Sequence, residues 1–169
     1  SSINLSSFKI INLMEKIAIF PGSFDPFTLG HESVVRRAIS LFDKIIVAVG
    51  VHSGKAPLMD VNARVKMIND VFDNVPQVHA DSFEGLTVNY CKKVKANYML
   101  RGIRTAADFE YERAIAQINK RMLPEVESVF LLTSPEHTPI NSTIIRDIIR
   151  NRGDASQFLP EGIDIKKYL

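Results

Sequence analysis

A single cysteine, Cys91, stands among the 169 residues. That scarcity excludes an internal disulfide and a zinc site built from cysteines, and it fits a reducing, cytoplasmic home. Cys91 lies in a polar, lysine-flanked helical pattern with no nucleophile motif around it, so it reads as incidental. Long apolar runs are missing too. None approaches the ~20 residues that a membrane-spanning helix needs, so no membrane partner is expected. Charge of one sign is also lacking: the net charge is +2 and the lysines and arginines are scattered, which argues against a nucleic-acid partner while leaving a few focused cations for a small anionic ligand. Internal repeats, low-complexity segments and linkers are absent. What is present, 46% hydrophobic and 24% charged residues, suits one soluble domain with a sizeable core. Residues 1–13, rich in serine and asparagine, read as a leader or added extension before a single domain over 14–169. Lys9, Asn12 and the serines interrupt their apolar character, and no small-residue cleavage site follows, unlike a signal peptide.

Apolar, β-branched runs alternate with helical patterns along the rest of the chain. Strands are expected at Lys16–Phe20, Lys44–Val51, Val75–Ala80, Asn97–Arg101 and Ser128–Thr133. Helices are expected at Glu32–Phe42, Val61–Phe72, Leu86–Val94, Ala107–Met122 and Asn141–Arg150. Asp108 and Asn141 are candidate N-caps, and Gly153 is positioned to close the last helix. This order predicts an α/β fold, a doubly wound parallel sheet of five strands, Rossmann-like, in which ligands bind outside the carboxyl ends of the strands. The residues following the expected strands are Gly22-Ser23, His52-Ser53-Gly54-Lys55, Asp81-Ser82, Arg101-Gly102-Ile103-Arg104 and Ser134 to Asn141. They are expected to converge on one crevice.

Two of these stretches invite phosphate. Pro21-Gly22-Ser23-Phe24-Asp25-Pro26-Phe27-Thr28-Leu29-Gly30-His31 runs from a strand through a glycine-bearing loop to a helix start, where free N–H groups and the helix dipole favour an anion. Ile140-Asn141-Ser142-Thr143 offers the same at the last helix. Turn and capping chemistry also account for each stretch alone. Their convergence with Lys55, Arg101 and Arg104 is what favours several phosphates, since arginine's fork matches phosphate oxygens and lysine adds a compact charge. No pair of catalytic carboxylates and no Ser-His-Asp order accompanies them. A phosphate monoester needs no general base to act as nucleophile, because its second pKa of about 6 leaves it largely a dianion at neutral pH.

Three blocks carry a family resemblance. Thr28-Leu29-Gly30-His31 resembles the T/HxGH motif of the nucleotidyltransferase superfamily, and Asn141 to Arg146 is similar to its ISSTxxR motif. Arg101-Gly102-Ile103-Arg104-Thr105-Ala106-Ala107-Asp108-Phe109-Glu110-Tyr111-Glu112 resembles the RGLRxxxDFEYE block of bacterial phosphopantetheine adenylyltransferases. The similarity runs from about Lys16 to the Phe158-Leu159-Pro160 stretch. It implies transfer of an adenylyl group from ATP to 4′-phosphopantetheine, giving dephospho-coenzyme A and pyrophosphate by direct in-line attack without a covalent intermediate.

Carried over residue by residue, the resemblance implies that Ser23 and His31 act on the reacting phosphates, with Lys55 and Arg104 as further catalytic cations. Ser23, Lys55, Thr87 and Arg101 would bind phosphopantetheine. Ser23, Phe24, His31, Gly102, Ile103, Arg104, Glu112, His137, Thr138, Pro139, Ile140, Asn141, Ser142 and Thr143 would bind ATP. Ser23 stands where the family usually has threonine, and two further positions depart from its pattern: Thr87 stands where an apolar residue is usual, and Asn141 replaces a serine. The resemblance further implies a homohexamer, feedback by coenzyme A, and Mg²⁺ entering with ATP, with no metal ligands assigned in the chain. Related nucleotidyltransferases acting on nicotinate mononucleotide or glycerol phosphate, or a catalytically silent nucleotide-binding module, are the rival readings.

Overall fold

The computed structural model describes residues 14–54 and 56–169; the expectations for the leader 1–13 and for Lys55 lie outside the described residues. The first strand, β1 (Ile17–Gly22), is followed by α1 (Leu29–Ala38), β2 (Lys44–Gly50), α2 (Val61–Val71), β3 (Val78–Phe83) and α3 (Thr87–Val94). The second half adds β4 (Tyr98–Ile103), α4 (Ala106–Met122), β5 (Glu127–Leu132) and α5 (Ser142–Arg150), with short 3₁₀ turns after β5 and in the C-terminal tail. All the strands pair in parallel, in the order β3-β2-β1-β4-β5. The expected doubly wound α/β sheet is therefore the observed one.

Alternation along the buried strands divides the core in two. Ala18, Phe20, Ile45, Val47, Val49 and Leu100 face a layer with Val34, Val35, Met67, Ile68 and Ile145 from α1, α2 and α5. Ile19, Ile46, Ala48 and Met99 face the opposite layer with Val88, Tyr90 and Cys91 from α3. Cys91 is buried there, and burial pushes its thiol up to about 12, which leaves it protonated and unreactive. None of the residues of α4 is buried, although Phe109, Tyr111, Ile115, Ile118 and Met122 lie on it.

Centre-out winding places a switch point between β1 and β4. These two strands pair only through Ala18 with Tyr98 and Ile19 with Met99, whereas β1 pairs with β2 along its whole length. Beyond Ile19 and Met99 the carboxyl halves of β1 and β4 part, and a crevice opens between them.

Several boundaries differ from expectation for identifiable reasons. β3 starts three residues late because Pro76 cannot donate to a ladder and Val75 instead closes the turn after α2 on the Phe72 carbonyl. Asp81 and Ser82 consequently lie inside β3, not after it, and Asp81 accepts a hydrogen bond from the Tyr90 hydroxyl at 2.8 Å. α4 is capped by Thr105, three residues ahead of the expected cap; Asp108 instead donates its N–H to Thr105 and accepts from the Arg104 N–H. α5 ends with Arg152 in the left-handed conformation, at φ 62°, and with the N–H groups of Arg152 and Gly153 bonded to Ile149 and Ile148. Gly153 serves that ending sterically: a Cβ there would come within 2.8 Å of the Ile148 side chain.

Candidate active site

The crevice at the switch point widens into a cleft of about 820 Å³, adjoined by a second cavity of about 450 Å³. Pro21, Gly22, Ser23, Arg101, Tyr111 and Glu112 border both. Two helix N-termini open into the larger one. At α5, Asn141 caps Ile144 through its side chain at 2.9 Å, which leaves the N–H groups of Ser142 and Thr143 without intrahelical acceptors. The two hydroxyls beside them differ: Ser142 donates to the Pro26 carbonyl at 3.0 Å, whereas Thr143 accepts from Arg146 at 3.1 Å and keeps its own proton.

At α1, Thr28 and His31 form a reciprocal cap. The Thr28 hydroxyl accepts from the His31 N–H at 3.4 Å, and His31 Nδ1 accepts from the Thr28 N–H at 3.0 Å. Since the helix begins at Leu29, His31 sits in its first turn rather than ahead of it. An accepting Nδ1 puts the imidazole proton on Nε2. The ring packs among Phe20, Phe24 and Phe27, with centroids 5.0 to 6.2 Å away. Burial first, and then the guanidinium groups of Arg101 and Arg104, push its pKa down to about 3. His31 is thus a neutral hydrogen-bond donor at the cleft wall.

Arg101 bridges the parted strands. It grips Glu112 with both ends of its fork, at 2.9 and 2.6 Å, and also donates to the Pro21 carbonyl across the gap. Three of its five N–H groups are spent, so two remain for a ligand. Arg104 is held near Asp108, at 3.4 Å. The carboxylates of the cleft are therefore already partnered with its cations.

The loop between β1 and α1 is fixed from several sides. Asp25, buried, accepts the N–H groups of Leu58 and Met59 at 2.8 and 2.9 Å. Arg146 donates to the Asp25 carbonyl at 2.9 Å, and Arg64 donates to the Ser23 carbonyl at 2.7 Å. Phe24 adopts φ 50° there, with its ring against Gly22.

Of the residues singled out in the sequence, Ser23, Phe24, His31, Arg101, Gly102, Arg104, Glu112, Ile140, Asn141, Ser142 and Thr143 line the larger cleft. Thr87 lines the smaller cavity with Ser23, Arg101 and Glu112. Ile103 is buried at the end of β4. His137, Thr138 and Pro139, expected at ATP, line neither cavity; His137 lies against Gly30, where a Cβ would come 3.8 Å from its own. Sequence reasoning passed over Tyr111, Asn119 and Arg64. Tyr111 was visible inside the Arg101–Glu112 block; Arg64 left no signal, because an arginine in a helical pattern reads as a solvated face.

Comparison with known proteins narrows what the cleft belongs to. Residues 19–148 match the cytidylyltransferase-like family. The chain is 48% identical over 149 residues to a phosphopantetheine adenylyltransferase of Flavobacterium psychrophilum, covering 88% of this chain and 98% of that one. It is 42% identical to the phosphopantetheine adenylyltransferase of Caldanaerobacter subterraneus, over 86% and 91% of the two chains. Among solved structures, a bifunctional NMN adenylyltransferase/ADP ribose pyrophosphatase from Francisella tularensis superposes with a TM-score of 0.67 at 19% identity, over 90% of this chain and 47% of the longer one. That last likeness speaks for the shared fold; the sequence identities, sustained across nearly whole chains, go further, and the chain belongs to the phosphopantetheine adenylyltransferases.

Proposed function

We propose that this chain transfers the adenylyl group of ATP to 4′-phosphopantetheine, forming dephospho-coenzyme A and pyrophosphate. The observation that carries this reading is the pair of cavities meeting at Ser23, Arg101 and Glu112, which gives two phosphorylated ligands one shared border. ATP would take the larger cleft, its phosphates against the N-termini of α1 and α5 and beside Arg104. Phosphopantetheine would take the smaller cavity, its arm along Thr87 and its phosphate held by Ser23, Arg101 and Lys55.

The acceptor phosphate is the nucleophile and needs no base. Catalysis then rests on alignment and on donors aimed at charge that builds on the α-phosphate and the departing pyrophosphate. A neutral His31 suits that task, since Nε2–H donates whatever the pH of the cytoplasm, and its partner Thr28 fixes the tautomer. Arg104 and Lys55 would offset charge on the leaving group. Asp108 and Glu112 are engaged with Arg104 and Arg101, so Mg²⁺ would enter as part of the ATP complex, held by phosphates and water. Assembly as a homohexamer accords with α4, whose apolar residues Tyr111, Ile118 and Met122 stay exposed in one copy. Coenzyme A, which shares the product's skeleton, would compete for the same cavities as an inhibitor. Among the described residues no helix is long and apolar enough to cross a membrane, and a cytoplasmic location accords with the lone buried thiol.

The test is pyrophosphate release from ATP and Mg²⁺ with 4′-phosphopantetheine, pantetheine, nicotinate mononucleotide or glycerol phosphate as acceptor. Turnover with 4′-phosphopantetheine alone is expected. Turnover with another acceptor, or none with any, would replace this reading by one of its rivals.

A further inference from the structure

Arg64 is placed where a cation is costly. It is 6% exposed, it sits one turn into α2 near the positive end of that helix's dipole, and no carboxylate lies within 4.0 Å of it among the described residues. Its guanidinium is spent on backbone carbonyls: Nε–H donates to Met59 at 3.0 Å, and Nη1–H donates to Ser23 at 2.7 Å. Met59 in turn donates its N–H to Asp25. A closed set of charged hydrogen bonds therefore joins the loop after β1 to the segment leading into α2.

The consequence lies in the peptide that Arg64 holds. In a trans peptide the carbonyl and the following N–H point in opposite directions. With the Ser23 carbonyl drawn onto Arg64, the Phe24 N–H is turned away from it, and neither backbone nor side chain accepts that N–H among the described residues. Ser23 and Phe24 both line the larger cleft. Phe24 stands at φ 50°, a conformation that a bulky residue keeps only when its surroundings hold it.

We infer that Arg64 is a positioning residue for the transfer reaction: by fixing the Ser23–Phe24 peptide it presents the Phe24 N–H to a phosphate oxygen of ATP. Arg64 touches neither substrate. The inference rests on the assignment of ATP to the larger cleft, and its test separates the two.

Phenylalanine ¹⁵N-labelled protein, with the Phe24 signal assigned through Phe24→Leu, is titrated with ATP. Arg64→Met and Arg64→Lys are compared for ATP affinity by calorimetry and for kcat and KM well below each variant's melting temperature. The wild-type Phe24 amide should move downfield with ATP. Both variants should bind ATP about tenfold or more weakly, with lower kcat, as the loss of charged hydrogen bonds predicts; lysine, which cannot reach two carbonyls as a fork does, should recover only part. A folded variant with wild-type ATP affinity and kcat overturns the inference. So does a Phe24 amide unmoved by saturating ATP, which decides the matter even if neither variant folds. A wild type that moves Phe24 on binding ATP, with both variants binding ATP more weakly, but that releases no pyrophosphate with 4′-phosphopantetheine supports Arg64 as the residue that positions the Phe24 N–H for ATP and overturns the proposed reaction.

Discussion

Replacing His31 by glutamine separates the imidazole's chemistry from its role in starting α1. Glutamine at this position, three residues after a threonine N-cap, completes a standard capping box, so the helix start is kept while the titrating ring is removed. In wild type the folded ring holds its pKa near 3, whereas an unfolded histidine titrates near 6.5. Above pH 6.5 both states are neutral and the ring adds no pH dependence. As pH falls below 6.5 the unfolded chain takes up a proton that the folded protein refuses, and stability drops by about 1.4 kcal/mol per unit until pH nears 3. At pH 4.5 the accumulated loss is about 3 kcal/mol. Urea unfolding at pH 7.5, 6.5, 5.5 and 4.5 should therefore show wild type losing about 3 kcal/mol more than His31→Gln across that range. At pH 7.5, kcat should fall on the order of 10²–10³-fold in the variant, the scale of removing one preorganised donor. Parallel stability curves for the two proteins would refute the reasoning, because they would mean a solvated, ordinary histidine that charges in the folded state.

Lys55→Ala and Arg101→Ala should each raise the KM for phosphopantetheine and lower kcat, with kcat/KM down about ten- to a hundredfold and ATP affinity less affected; paired titrations of the two substrates check this, and the reverse pattern would exchange the two phosphate sites. Glu112→Gln should loosen the two-pronged grip on Arg101, whose partner is only 13% exposed, and cost about tenfold in kcat/KM for the acceptor, read by steady-state kinetics. Gly22→Ala would place a methyl group 2.8 Å from the tip of the buried Phe24 ring; thermal melts should show a loss of about 1–3 kcal/mol, and an unchanged melting temperature would mean that the ring has room to move.

Periodicity and motif spacing carried most of the architecture because the central strands β1, β2 and β4 bury consecutive residues and read as apolar runs. The failures lie where a local rule competed with tertiary context. Val75 looked like the first residue of a strand, but Pro76 removed the donor that a ladder would need. Asp108 looked like a cap, but the helix starts earlier, at Thr105, whose hydroxyl accepts the Asp108 N–H and leaves the carboxylate for Arg104. Within the site, the glycine loop, His31 and the Arg101–Glu112 block were legible because their chemistry is written in residue type. Which N–H groups stay free was not legible. Ser142 and Thr143 look alike as hydroxyl ligands in a sequence, and only their bonds reveal that Ser142 spends its proton on Pro26 whereas Thr143, accepting from Arg146, keeps its own. The braces supplied by Arg64 and Asp25 were invisible for the same reason, since each joins residues more than thirty positions apart.

The partial pairing of β1 with β4 has a further consequence. A parallel sheet ordinarily owes its spacing to a continuous ladder, which fixes neighbouring strands about 4.8 Å apart. Here the central seam behaves like a zip fastener drawn only part of the way, closed through Ile19 and Met99 and propped open above them by the reach of Arg101 to the Pro21 carbonyl. Above the ladder, the contact that spans the slot is thus made by a side chain and not by paired backbone. Exchanging the residue at position 101 or its partner at 112 should therefore shift the spacing of β1 and β4 as well as weaken the hold on the acceptor's phosphate.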